Sequence, residues 1–300
     1  MRNTTAAAAI TAAIFQTARS ICDILIVQNH CKMSQSPSIV SAANPLLKEI
    51  RKAIARGALT SDGCWVAEGF HLLEEALRSE CEVQVVLASD SARQAVETFV
   101  QRLPATRVVT LSDKLFESVS ATETTQGVIA LVKAPVWSLE QLFGGRSLVV
   151  VLDALQDPGN AGAIARTAEA FGATGVLFLK GAVSPFNPKT IRASAGSLFR
   201  LPFLAGLDPQ QARAAFAQHG IDLYAAVPAR PGAAVESLSG ANLAGPCGLI
   251  IGSEGHGISE ELRSASRAIS VPTVAVESLN AAVAAGILLY EARRQRSPEP

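Results

Sequence analysis

The 300-residue sequence has few sulfur atoms, few aromatic rings and no net charge. Its five cysteines (Cys22, Cys31, Cys64, Cys81 and Cys247) form no CxxC pair and lie too far apart for a metal cage or a disulfide framework. Of the four histidines (His30, His71, His219 and His256), no two stand at metal-ligand spacing. These absences predict a reduced, metal-free, cytoplasmic protein. Lys+Arg and Asp+Glu are 26 each, which excludes a binder that coats nucleic acid by bulk charge but leaves room for a local basic face. Charged residues are only 17% against 49% hydrophobic, with mean hydropathy +0.28, so a largely disordered chain is excluded. The apolar stretch 6–27 is interrupted by Arg19 and Asp23 at i,i+4 spacing, which argues against a membrane span.

The length fits about two domains. Only Met1 and Met33 are methionines, and a Ser-rich opening (MSQSPSIVSAANP) starts at Met33, so residues 1–32 read as a dispensable or mis-assigned part of an extension over 1–43, with an ordered helix or a targeting segment as the alternatives. Residues 44–135 mix helical and strand patterns. Pro45 opens a helix through Arg56 with Leu46, Leu47, Ile50 and Ile54 at helical spacing. Lys48, Arg51, Lys52 and Arg56 share one face of it, a local basic patch. This half holds ten Lys/Arg and twelve Asp/Glu, so any nucleic-acid surface on it is a patch. Residues 136–147 (VWSLEQLFGGRS) read as a linker. From 148 to 300 short β-branched strands alternate with helices, LVVVL, GVLFL, LYAAV and CGLIIG among the strands. That alternation implies a parallel sheet covered on both faces, with ligands outside the carboxyl ends of its strands.

Three loops at those ends carry polar residues. In LDALQDPGNAGAIARTAEAFG, Pro158–Gly159 forces a turn, Asn160 is placed as the helix N-cap, Gly162 allows close backbone approach, and Arg166 projects from the second turn. The glycines run Gly159-x-x-Gly162, so the G-x-G-x-x-G of a dinucleotide loop is missing. In GLIIGSEGHGIS, Gly252, Gly255 and Gly257 predict a flexible loop with Glu254 at its crest. In ISVPTVAVESLNAAVAAGI, Ser278 reads as the cap of a buried last helix, with Leu279 and Asn280 in its first turn. Lys189, Arg192 and Arg200 flank the intermediate stretch KTIRASAGSLFRLP and form a second basic group, a candidate nucleic-acid contact like the Lys48, Arg51, Lys52 and Arg56 face.

Together, NAGAIARTAEAFG, KTIRASAGSLFRLP, IIGSEGHGIS and VPTVAVESLNAAVAAGI resemble the SpoU-type (TrmH-like) RNA ribose methyltransferases of the SPOUT superfamily. The resemblance covers about residues 148–296, and the region before it looks like that family's auxiliary substrate-binding domain. It implies an α/β fold whose parallel sheet carries a C-terminal trefoil knot, preceded by a small α/β substrate-binding domain. It also implies a homodimer that uses S-adenosylmethionine to methylate a ribose 2′-hydroxyl in rRNA or tRNA. By the same resemblance Asn160, Arg166, Glu254, Ser278 and Asn280 are the catalytic set. Ile251, Gly252, Val271, Pro272 and Leu279 are the cofactor contacts, made largely by backbone. Two departures stand out: Val271-Pro272-Thr273 where Ile-Pro-Met is frequent, and Asn280-Ala281-Ala282-Val283 where the asparagine is commonly followed by Val-Ser-Val. The alternatives are an RNA-binding homologue without turnover and a base-methylating relative.

Overall fold

The computed structural model describes residues 37–100, 106–229 and 235–297. The reading of residues 1–32 lies outside them. The first half builds β1 (Ser38–Ile39), α1 (Pro45–Arg56), β2 (Cys64–Glu68), α2 (Phe70–Arg78), β3 (Val83–Ser89), α3 (Arg93–Val100), β4 (Arg107–Leu111), α4 (Asp113–Glu117) and β5 (Val128–Lys133). Its five strands form one mixed sheet in the order β1-β4-β3-β5-β2. Asn44 caps α1 by accepting from the Leu46 N–H at 2.9 Å, and Gly57 ends it in the left-handed region at φ 55°.

The second half continues with α5 (Leu139–Leu142), β6 (Leu148–Asp153), α6 (Pro158–Ala170), β7 (Gly175–Phe178), α7 (Pro188–Ala193), β8 (Phe203–Ala205), α8 (Pro209–Gln218), β9 (Asp222–Ala226), β10 (Glu236–Ser237), β11 (Cys247–Gly252), α9 (Glu260–Arg263), β12 (Arg267–Ser270) and α10 (Ala281–Arg296). Seven strands lie in the order β10-β12-β9-β11-β6-β7-β8, and every pairing is parallel. All six residues of β6 are buried, as a central strand covered on both faces requires.

The two sheets share a core. Trp65 of β2 is fully buried, with its ring 5.0 Å from Phe199 and 5.9 Å from Phe203. Arg200 joins the halves: its guanidinium meets Glu75 of α2 at 2.8 Å and Glu169 of α6 at 2.6 Å. Burial pushes the Glu75 carboxyl up, but the hydrogen bond and charge of Arg200 outweigh it and leave the group below the ordinary carboxylate range. Glu169 follows the same pattern, with Ser197 assisting Arg200. The guanidinium is correspondingly raised by Glu169 first.

Two expectations change here. Residues 139–142 form a helical turn, and Leu142 and Phe143 are buried, so the stretch read as a linker is packed against the sheet. In the intermediate stretch the helix that starts at Pro188 ends at Ala193. Ala195 and Gly196 take φ of 49° and 88°, and a 3-10 turn follows at Ser197–Phe199. The last helix is buried on one side only, since Val283, Ile287 and Tyr290 stand exposed along the other.

Candidate active site

Strands β6 and β11 are neighbours and β12 lies one strand further, beyond β9; all run parallel, and the three polar loops leave from their carboxyl ends. Asp157, followed by Pro158 at the first helical position, starts α6; its Oδ1 accepts from the Asn160 N–H at 2.6 Å. Asp157 is therefore the N-cap, and Asn160, expected there, lies inside the first turn with its amide free to face outward. The same correction applies to the last helix. Asn280 caps α10, its Oδ1 accepting from Ala282 N at 2.9 Å and Val283 N at 3.3 Å. Ser278 stands two residues ahead of the cap and caps nothing. An asparagine directly before an alanine-rich helix is itself a strong cap signal, so Asn280 was recognisable as the cap.

The Gly252–Gly257 loop is not the flexible crest expected. Ser253 and Gly257 exchange main-chain hydrogen bonds of 3.1 and 2.9 Å, and the Ser253 hydroxyl accepts from His256 N at 3.0 Å. A Cβ at Gly252 would lie 2.4 Å from the Gly257 carbonyl, so only glycine lets this turn fold back so closely. Below it sits Asp153, 3% exposed and in register with Gly252, whose Oδ2 accepts from Ser259 N at 2.7 Å. Sequence reasoning missed Asp153; the signal available was an acid closing an otherwise apolar strand.

These caps and turns bring three distant segments into one hydrogen-bonded line. The Asn280 amide is oriented by its cap: with Oδ1 on the helix N–H groups, Nδ2 must donate, and it donates to Asn160 Oδ1 at 3.0 Å. Asn160 Nδ2 then donates to Glu254 Oε1 at 2.8 Å. The polarity runs one way, from the N-terminus of α10 to a carboxylate, with every amide atom assigned by its neighbour.

Helices α6 and α10 run side by side from this junction. Gly286 lies over Thr167, and the rings of Phe171 and Tyr290 meet edge to face with centroids 5.9 Å apart. Arg166, next to Thr167, is exposed and makes no hydrogen bond or ion pair among the described residues. It is a cation without a partner among the described residues, on the helix whose first turn holds Asn160, and that helix packs against α10.

The segment after β12 has a different character. Among the described residues no main-chain hydrogen bond forms from Pro272 to Leu279, except that the Val276 carbonyl accepts from the Thr273 hydroxyl at 2.7 Å. Apart from the Val276 carbonyl, and with Pro272 lacking a donor, the backbone groups of this segment after β12 are thus unpaired among the described residues. Of the expected cofactor contacts, Pro272 and Leu279 bound that segment, Val271 precedes it, and Ile251 and Gly252 close β11.

The expected RNA contacts divide. Lys48, Lys52, Arg56 and Lys189 are exposed and unpaired among the described residues. Arg51 turns back to donate to the Ala42 carbonyl at 2.6 Å. Arg192 is half-buried, and one of its terminal nitrogens is enclosed without a partner. Arg200 is held by two carboxylates at the seam between the sheets, so it is removed from the phosphate-binding group. Among the described residues no group of three His, Cys, Asp or Glu side chains is placed to hold a metal, and no helix is long and apolar enough to cross a membrane.

Comparison with known proteins places this geometry. The model of the SpoU rRNA methylase family matches residues 147–290, and that of the MRM3-like substrate binding domain matches residues 44–130. The 23S rRNA (guanosine(2553)-2′-O)-methyltransferase RlmP of Bacillus subtilis is 33% identical over 85% of this chain and 98% of its own. The SpoU methyltransferase AviRb of Streptomyces viridochromogenes, solved with AdoMet, superposes with TM-score 0.73 at 26% identity over 84% of this chain and 98% of that one. A solved RNA 2′-O ribose methyltransferase gives TM-score 0.70 at 31% identity over 86% of this chain and 99% of the other.

Proposed function

Because this chain belongs to the SpoU rRNA methylase family, we propose that it transfers a methyl group from S-adenosylmethionine to a ribose 2′-hydroxyl in structured ribosomal or transfer RNA. The observation that carries this reading is the line Asn280–Asn160–Glu254, which ties three distant segments together beside the unpaired Arg166. S-adenosylmethionine, when bound, supplies a methyl group on a positively charged sulfur. The main chain from Val271 to Leu279, with Ile251 and Gly252, holds it on this reading, supported by the free backbone groups of that segment. Contacts of that kind tolerate the Val-Pro-Thr departure. The parallel sheet then carries the family's trefoil knot.

Methyl transfer neutralises a positive charge, so catalysis rests on positioning the two reacting atoms and on handling the hydroxyl proton. Arginine stays protonated below about pH 12, which favours Arg166 as the group that stabilises developing negative charge on the 2′-oxygen or grips the adjacent phosphate. The proton then leaves to phosphate or water. Glu254, Asn160 and Asn280 orient the ribose and Arg166. Ser278, free of the capping task, is available to the substrate. Lys48, Lys52, Arg56, Lys189 and Arg192 bind phosphate, and the enzyme acts in the cytoplasm.

The enzyme is a homodimer on this reading, supported by the exposed apolar side chains of α10. The test is incubation of the purified protein with methyl-labelled S-adenosylmethionine and unmodified ribosomal and transfer RNA, then digestion to nucleosides. Label in 2′-O-methyl nucleosides is expected. Label on a base would make the protein a base methyltransferase, and none at all would leave an RNA binder without turnover.

A further inference from the structure

The two groups of unpaired cations come from different halves of the sequence, yet they are neighbours. Lys48, Lys52 and Arg56 recur every four residues along α1, so they climb it in steps of about 6 Å. Gly57 follows Arg56, and a Cβ placed on it would lie 3.3 Å from the Cβ of Asn187, the residue that caps α7. Lys189 lies two residues further on. Helix α7 then crosses α6 at Gly162, where a Cβ would lie 2.4 Å from the Thr190 carbonyl and 2.8 Å from Ser194 N. Gly162 is two residues from Asn160. The end of α1, the start of α7 and the start of α6 are thus in direct succession.

Glu49 lines the cleft beside Lys52 and Arg56; its Oε1 accepts from the Ser61 N–H at 2.6 Å, and it forms no ion pair among the described residues. Among the described residues Lys48, Lys52, Arg56 and Lys189 have no hydrogen bond or ion pair. Four cations without an ion-pair partner among the described residues, in a chain of zero net charge, are a local feature and not an overflow of basic residues.

The geometry points to one continuous track for the phosphates of a single RNA strand, running along α1, across the seam at Gly57–Asn187 and over Lys189 to the start of α6. This rests on the reading of the protein as an RNA methyltransferase and adds the path by which its first half delivers the strand. It also makes the contact between the halves part of substrate binding, since the track breaks if α1 and α7 separate.

The test uses the full chain and labelled polyuridylate, with affinity measured against salt concentration. Substitutions are Lys48→Ala with Lys52→Ala and Arg56→Ala, Lys189→Ala alone, and all four together. Each lost phosphate contact on a single strand lowers the slope of log affinity against log salt by about 0.7, so the combined variant loses about 2–3. Its KM for RNA rises while S-adenosylmethionine affinity, read by calorimetry, is unchanged. An unchanged slope in the combined variant overturns the track, as does a loss confined to the α1 substitutions with Lys189→Ala silent. A combined variant that releases phosphatidylserine vesicles but keeps its polyuridylate slope assigns the row to a membrane and overturns it as well. If the slopes fall as expected but wild-type protein methylates no RNA, the methyltransferase reading fails and the track stands.

Discussion

A single side chain decides each step of the proposed reaction. Arg166 is exposed and has no partner among the described residues, so replacing it disturbs no internal bond. Arg166→Ala is expected to lower kcat by about 10²–10³-fold, the scale of losing one aligned charge-stabilising donor. Cofactor affinity by calorimetry should hold. Near-normal turnover would remove Arg166 from the mechanism. Asn160 allows a sharper test because the amide line has a direction. Asn160→Asp puts a second carboxylate 2.8 Å from Glu254, where an N–H donor is needed, while Asn280 still donates to it. Turnover should fall by up to about 10²-fold through misplacement. Adding Glu254→Gln restores a donor facing the new acceptor, so the double variant should recover part of the loss. If Glu254→Gln instead deepens the loss, the Glu254 charge itself acts on the substrate.

Among elements, the seam between the halves links stability to pH. Glu75 and Glu169 both sit below the ordinary carboxylate range because Arg200 outweighs their burial. A carboxyl with a lowered folded-state pKa adds stability above its unfolded pKa and loses it as pH falls through the folded one. The Arg200 contribution is therefore full at neutral pH and fades below about pH 4.5. Arg200→Ala should cost about 1–2 kcal/mol at pH 7, a modest figure because the arginine is 36% exposed. The Tm difference from wild type should shrink on acidification, and a difference independent of pH would show that lost packing dominates. Arg200 also shows where sequence reading stops. Its partners lie 125 and 31 residues away, so no local pattern separates it from a phosphate-binding arginine. Strand positions, by contrast, were legible: CGLIIG matches β11 residue for residue and LVVVL covers β6 except Asp153, because buried parallel strands are short apolar runs. Cap positions were misread by two or three residues. Asp157 and Asn280 bond to N–H groups two or three positions on, and several polar residues near a helix start compete for that place. That Asn160, Glu254 and Arg166 belong to one site came from motif resemblance. The hydrogen bonds joining two of them appear only once β6, β11 and α10 are assembled.

Across the whole molecule, the exposed large hydrophobic side chains are unevenly placed. Val274, Val276, Val283, Ile287 and Tyr290 lie in the segment after β12 and on α10; only Val40 and Val136 lie elsewhere among the described residues. Val283, Ile287 and Tyr290 recur at i, i+4 and i+7, one face of a helix whose other face packs on the sheet and α6. Apolar side chains grouped in this way mark a contact surface more than chance exposure does. A second copy pairing through this face would cover the stripe and bring another chain close to Arg166, since α6 lies against α10. In a twofold pair each chain offers the same patch to the other, so one substitution acts twice. Ile287→Glu should therefore shift the protein from dimer to monomer in light scattering after size exclusion, with far-UV circular dichroism unchanged. Methyl transfer should fall with dimer content and return, at least in part, as protein concentration is raised. A wild-type protein that runs as a monomer at micromolar concentration would overturn the pairing. An Ile287→Glu variant that stays dimeric would place the interface on another face.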